Sequence, residues 1–389
     1  MIEIPKGEFH ERIGRIREAM AESRLDALMV YGDEYRKENL RYVSNFWPIF
    51  ERGACFIPKD SEPILVGAPE GERYAREMTI WQDVRNIKEF ACVSVPDEID
   101  FPLANFSSFS DILKESMGAG NRLGLVGKWD MPAPFLERIM AARPSVEVID
   151  ADHILQDIRL IKSDAEIACL REAGRLACLG YEKLMKAAVP GNTERISAGA
   201  GEGTARMAGA EDINFMVFGS GPRTATVIGR ATDRIIQDGD MIMAALAVQY
   251  QGYVTTVEFP FVAGRASDEQ KQFLGVLFEA ANVQLSYLKD GTHSGAMVRA
   301  VKDVFRRHGV DRYDVYPPMH GIGLAEAESP YPNEQTDYPI RAGMCVSTDI
   351  SLFGHPCGSN RIEEGFAIGP DGPESLTPLI RRLCEEGVK

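Results

Sequence analysis

Four acidic positions and one histidine stand out by their surroundings. In the stretch Gly239–Gly264, GDMIMAALAVQYQGYVTTVEFPFVAG, Glu258 is the only ionisable carboxylate between Met241 and Val262. A lone acid in an otherwise apolar ribbon is costly to bury unless a partner or ligand meets it. The plain alternative is a strand acid turned to solvent. Asp349 interrupts a second apolar run, and Arg361-Ile-Glu-Glu364 opens a third with two adjacent acids. Successive strand residues point to opposite faces, so one of Glu363 and Glu364 faces inward. Histidine is scarce, with six in the chain, and His320 lies in Pro317-Pro-Met-His-Gly-Ile-Gly-Leu324, where flanking Pro and Gly hold a ring in one orientation. Three inward strand acids with a loop histidine form a titratable cluster suited to acid–base work in a pocket.

The elements that must position these groups follow from pattern. Gly239-Asp240 is a turn, Met241–Gln249 a strand, and Gln251-Gly252 turns the chain into a second strand, Tyr253–Val262. Further strands are expected at 215–221, 344–352 and 362–368, and helices at 268–288 and 294–308. Ser163-Asp-Ala-Glu166 is a capping box before a long amphipathic helix. Ahead of it, a helix through Phe9, Ile13, Ile16 and Met20, a strand at 27–31, a hairpin at 54–66, further strands at 123–126 and 146–149, and helices at 106–117 and 133–142 alternate as in an α/β domain. Residues 150–160 read as the connector. The fold class is therefore α/β (α+β), with domains at 1–158 and 159–389, the second an antiparallel sheet with helices on one face.

Composition bounds the function. A chain of 389 residues is long enough for two domains. The net charge of −15 argues against nucleic acid or an anionic membrane as partner. Seven scattered cysteines, Cys92 among them, without a CxxC pair predict reduced thiols in the cytoplasm rather than disulfides or a thiolate zinc site. The N-terminal stretch lacks the apolar segment of a signal peptide, and no run is apolar enough to span a bilayer.

Arg159-Leu-Ile-Lys-Ser-Asp-Ala-Glu-Ile167, Phe218-Gly-Ser-Gly221, Gly239-Asp240, Gly252-Tyr253, His320-Gly-Ile-Gly-Leu324, Gly343-Met344 and Arg361-Ile-Glu363 occur in this order at near-standard spacing. Together they resemble the pita-bread family of Xaa-Pro dipeptidases, methionine aminopeptidases and creatinase, over essentially the whole chain. The resemblance implies a creatinase-type N-terminal α/β domain followed by a pita-bread catalytic domain. Peptidases of that family hold two metal ions through two Asp, one His and two Glu. Here the Asp positions are Ala245 and Thr256, the His position is His320, and the Glu positions are Asp349 and Glu363. Two further family histidines fall on Ile228 and Ala327. Without the bridging carboxylates a two-metal peptidase is excluded.

Creatinase lacks metals too, and Glu258, His320, Phe50 and Arg52 match its site residues, whereas its acid–base His is Ile228, its ribbon Tyr is Val254 and its second substrate Arg is Tyr331. The resemblance thus implies a metal-independent hydrolase of a C–N bond in a small carboxylate-bearing substrate, of amidinohydrolase or amidase type, without cofactor. In it Glu258 holds or polarises a cationic nitrogen, and His320 moves the proton, with Asp349 and Glu363 beside them. Phe50 and Arg52 of the partner's N-domain clamp the substrate across a homodimer. Two alternatives stand beside it: a mononuclear-metal or Xaa-Pro dipeptidase-like hydrolase with one divalent ion at His320, Asp349 and Glu363, and an inactive ligand-binding member.

Overall fold

The structure is a computed structural model and describes residues 2–91 and 106–386, so Cys92 lies outside the described residues. The chain forms two units, residues 4–159 and residues 160 onward, the latter together with the first three residues.

The N-terminal unit is built on a six-stranded mixed sheet. Its strands are β1 (Ala27–Asp33), β2 (Arg52–Pro58), β3 (Ile64–Gly67), β4 (Asp83–Asn86), β5 (Arg122–Val126) and β6 (Glu147–Asp150), in the order β4-β3-β2-β1-β5-β6. The apolar β1 is buried along nearly its whole length because it runs in mid-sheet, antiparallel to β2 and parallel to β5. The helix expected at 106–117 begins instead at Phe109, because the Ser108 side chain caps it and Asp111 completes the box. The expected connector 150–160 contains a helix, Asp152–Arg159, whose Ile154 and Leu155 are buried.

The C-terminal unit is an eight-stranded sheet covered by helices. Its strands are β7 (Asp212–Ser220), β8 (Met241–Tyr250), β9 (Tyr253–Glu258), β10 (Phe261–Val262), β11 (Met319–Gly321), β12 (Cys345–Leu352), β13 (Asn360–Gly369) and β14 (Gly372–Ser375). The path is β10-β8-β9-β13-β12-β11, with β7 added on β8 and β14 on β13. All pairings are antiparallel, as the sequence indicates. The β8–β9 hairpin closes through Gln251 and Gly252 at φ 50° and 85°, the two positive dihedrals of a tight type I′ connection. The long helix Asp164–Ala187 starts at the Ser163/Glu166 capping box and packs its Leu176, Ala177 and Leu184 into the core beneath β8. Tyr181 anchors the ribbon: its hydroxyl donates to the carbonyl oxygens of Ala244 and Phe259 and accepts the Phe259 N–H. The sheet's outer face is thus fixed to helices, leaving its inner face open.

Candidate metal and catalytic site

Strand register places the polar residues of the inner face in one transverse row. Val217 in β7 stands opposite Ala245 in β8, Ala245 opposite Glu258 in β9, Glu258 opposite Glu363 in β13, and Glu363 opposite Asp349 in β12. Cross-strand partners share a face, so three carboxylates are aligned by pairing alone. His320 in β11 pairs with Ser347, two residues from Asp349 on that face, and Ser347 Oγ donates to Glu363 Oε1 at 3.0 Å. A cavity of about 870 Å³ opens over the row, with Glu258, His320, Glu326, Asp349 and Arg361 in its walls. Glu364 points away from it, toward Arg381 at 3.3 Å.

The segment after His320 doubles back tightly. Gly321 N–H donates to the carbonyls of Glu328 and Pro330, and a Cβ on Gly321 would come within 2.2 Å of the Ser329 carbonyl oxygen. This return brings Glu326 to the histidine. His320 Nε2 lies 3.4 Å from Glu363 Oε1 and 4.0 Å from Glu326 Oε1, and donor atoms of the three residues lie within 4.8 Å of one another. Thr256, at one of the lost aspartate positions, donates its hydroxyl to Glu326 Oε1 at 3.1 Å. His320 Nδ1–H donates to the Gly321 carbonyl at 3.0 Å, which turns Nε2 toward the two acids.

Burial and mutual repulsion shape the charges. Glu258 is 2% exposed and its Oε1 has no hydrogen-bond partner; burial raises its pKa to about 8, against the pull of Arg361. Glu326 is raised to about 7 by burial and by Glu363. Asp349 is raised to about 6 by burial, opposed by Arg361, whose Nε is 3.0 Å from Oδ1. Burial works against a charged His320, but its hydrogen bond to Glu363 and that residue's charge, with Glu326 behind, lift it to about 9. Burial likewise opposes the charge on Glu363, yet His320 holds it below the ordinary glutamate range. Arg361 is sandwiched by Tyr316 and Phe353, with its guanidinium carbon 5.1 and 5.3 Å from the ring centres, and its Nε is 3.9 Å from Glu258.

The donor set fits one ion. One imidazole nitrogen with a fixed tautomer and two carboxylates converge, a combination borderline and hard divalent cations accept. It does not fit two. Ala245 and Thr256 supply no carboxylate, and Asp349 is engaged by the Arg361 cation. The expected mononuclear set of His320, Asp349 and Glu363 is therefore revised to His320, Glu326 and Glu363.

Of the residues singled out from sequence, the structure brings Glu258, His320, Asp349 and Glu363 together. Phe50 and Arg52 belong to the N-terminal unit, where Phe50 is exposed and the Arg52 guanidinium lies over the Phe135 ring. Glu326 and Arg361 were missed. Arg361 was within reach, being two residues from Glu363 on the same strand face; Glu326 lies in a loop, where no periodicity reports direction.

Residues 168–370 match the metallopeptidase family M24, and residues 12–161 match the creatinase/prolidase N-terminal domain. The chain belongs to metallopeptidase family M24. It is 24% identical to a Xaa-Pro dipeptidase of Pyrococcus horikoshii over 96% of this chain and 99% of that one. It is equally similar to the Xaa-Pro dipeptidase of Pyrococcus furiosus, at 24% identity over 96% and 99% of the two chains. Its fold is that of the crystal structure of the prolidase from P. horikoshii OT3, with TM-score 0.81 and 24% identity over 94% of this chain and 98% of that one. An X-Pro aminopeptidase structure from Thermotoga maritima gives TM-score 0.80 and 22% identity over 94% and 97%.

These relatives overturn the metal-independent, creatinase-like reading and with it the expectation of no cofactor. The family is one of metallopeptidases, and the two Pyrococcus relatives that match over nearly their whole length are named Xaa-Pro dipeptidases, not amidinohydrolases. The two lost aspartates point to a metal-free site, and nothing in the local sequence places Glu326 beside His320 and Glu363.

Proposed function

We propose that the chain is a peptide hydrolase that acts on Xaa-Pro bonds with one divalent ion at His320, Glu326 and Glu363. The convergence of these three donors beside a large cavity carries the reading, and the names of the two full-length Pyrococcus relatives suggest the substrate class. A bound divalent ion supplies Lewis-acid polarisation and acidifies water. The protein's own groups do the rest. His320 presents Nε2 because Gly321 holds the Nδ1 proton. Glu258, kept protonated up to about pH 8 by burial, provides the proton that the leaving amine requires when the C–N bond breaks and water's oxygen joins the carbonyl carbon. Arg361 keeps Asp349 ionised and holds a fixed positive charge in the wall, where an ammonium or second ion would otherwise be drawn. Hydrolysis of Leu-Pro by Mn²⁺-loaded protein, lost on chelation and restored by Mn²⁺, is the expected result. Cleavage that persists unchanged in excess chelator would refute the reading.

We further infer a homodimer in which the N-terminal unit of one copy covers the cavity of the other. Tyr35, Phe50 and Trp129 are 83%, 72% and 86% exposed. Their loops are tied together by the Arg36–Asp130 ion pair and by the Phe50 N–H on Glu34. An exposed aromatic cluster of this kind marks an interaction surface. Among the described residues no helix is long and apolar enough to cross a membrane. Cys55, Cys178, Cys345, Cys357 and Cys384 form no disulfide, which supports a reducing compartment such as the cytoplasm.

A further inference from the structure

Five consecutive residues of β7, Ile213 to Val217, border the cavity. Side chains of a strand alternate, so only part of that border can be side chain. Val217 faces inward, opposite Ala245 of the acid row. Met216, opposite Leu246 of the core, turns its side chain to the helices and packs there. Met216 therefore meets the cavity at the strand's edge. Among the described strands β7 pairs with β8 alone, which leaves that edge open. On the other side the Phe218 N–H donates to the Gly229 carbonyl, so by the two-residue period the N–H and C=O of Met216 point the same way. Among the described residues nothing takes them. The helix Glu194–Met207 forms the far wall, through Glu202, Gly203 and Arg206, which makes a slot along the edge.

Length decides what fills the slot. Ile213 to Val217 offers about 17 Å of edge, whereas an extended dipeptide spans roughly 7 Å. From the acid row to the edge a chain must also cross β8 and β7, about 10 Å or some three residues. We propose that the substrate is a longer peptide, whose residues beyond the third add to the free edge of β7 as a strand and hydrogen-bond to the backbone of Met216. This rests on the peptide-hydrolase reading and extends it from dipeptides to oligopeptides. Strand addition suits the site because main-chain bonds hold any sequence, while alternate side chains meet Phe215 and Val217 on one face.

The test uses Leu-Pro, Leu-Pro-Ala and Leu-Pro-Ala-Ala-Ala-Ala with Mn²⁺-loaded protein, and anisotropy of the fluorescently labelled hexapeptide with metal-free protein. The expected result is a rise in kcat/KM of about tenfold between tripeptide and hexapeptide, the effect of one or two backbone hydrogen bonds. Met216→Pro, which removes the outward N–H at an edge position where proline is tolerated, should erase that ratio and weaken hexapeptide binding by a similar factor. Ester replacement of single amides along the hexapeptide, which leaves the protein untouched, should weaken binding at one position beyond the third residue. Dipeptide cleavage at the hexapeptide's rate, or ester replacements without effect at every position, would overturn the proposal while leaving hydrolysis intact. Hexapeptide binding that is sensitive to Met216→Pro without any cleavage would support it and refute hydrolysis instead.

Discussion

Glu258 and Glu326 show how one face of a sheet can gather acids that local sequence would not hold apart. Glu258 is buried and Glu326 half-buried, each is repelled by Glu363, and each is raised, to about 8 and about 7 respectively. For Glu258 the consequence for stability has a definite sign. In the unfolded chain it titrates near 4.5, so between that pH and about 8 the folded protein keeps a proton the unfolded chain has released. Stability of the metal-free protein therefore falls as pH rises across this window. His320, raised from 6.5 to about 9, adds stability below 6.5 that is lost as pH climbs through 9, in the same direction. Glu258→Gln should flatten the decline and raise stability at pH 8.5 by on the order of 3 kcal/mol, read from chemical denaturation at several pH values. An unchanged pH profile in the variant would show that Glu258 ionises normally. Glu258, Asp349, Glu363 and His320 were legible in the sequence because each breaks an apolar or Gly/Pro-rich context. Glu326 was not, since Ala325-Glu-Ala-Glu328 reads as an ordinary polar loop until the turn at Gly321 returns it to the histidine.

At the scale of elements, the site depends on register. Pairing fixes Ala245, Glu258, Glu363 and Asp349 side by side, and a slip of one residue in β9 would send Glu258 into the helix-covered face. The Gln251-Gly252 turn guards against that slip, and it was readable from sequence because a two-residue connection between apolar runs calls for positive φ. Gly252→Ala should cost about 1–2 kcal/mol in a denaturant titration, the penalty for a side chain in the left-handed region. No loss of stability would mean that the turn relaxes to another form. Strand alternation also explains the fate of the adjacent acids: Glu363 enters the row while Glu364 pairs with Arg381 on the other side. The helix Asp152–Arg159 went unread because eight residues between two domain-like patterns give a helical period too little length to register.

For the whole molecule, the two-domain α/β arrangement and the antiparallel sheet of the second domain followed from pattern and family resemblance, whereas the mixed pairing of the first sheet and the ion count did not. Sequence showed which ligands were lost; only the folded chain shows that Arg361 takes up Asp349 and that Thr256 turns its hydroxyl to Glu326. The proposed dimer has its own check: Phe50→Asp should shift the molar mass in light scattering from that of two chains toward one, and a mass of one chain in the unaltered protein would dismiss it. The single-ion site is tested most directly by calorimetric titration of the metal-free protein with Mn²⁺. About one ion per chain is expected, with binding lost in Glu326→Gln and kept in Asp349→Asn. Two ions per chain, or one that binds undiminished in Glu326→Gln, would contradict it.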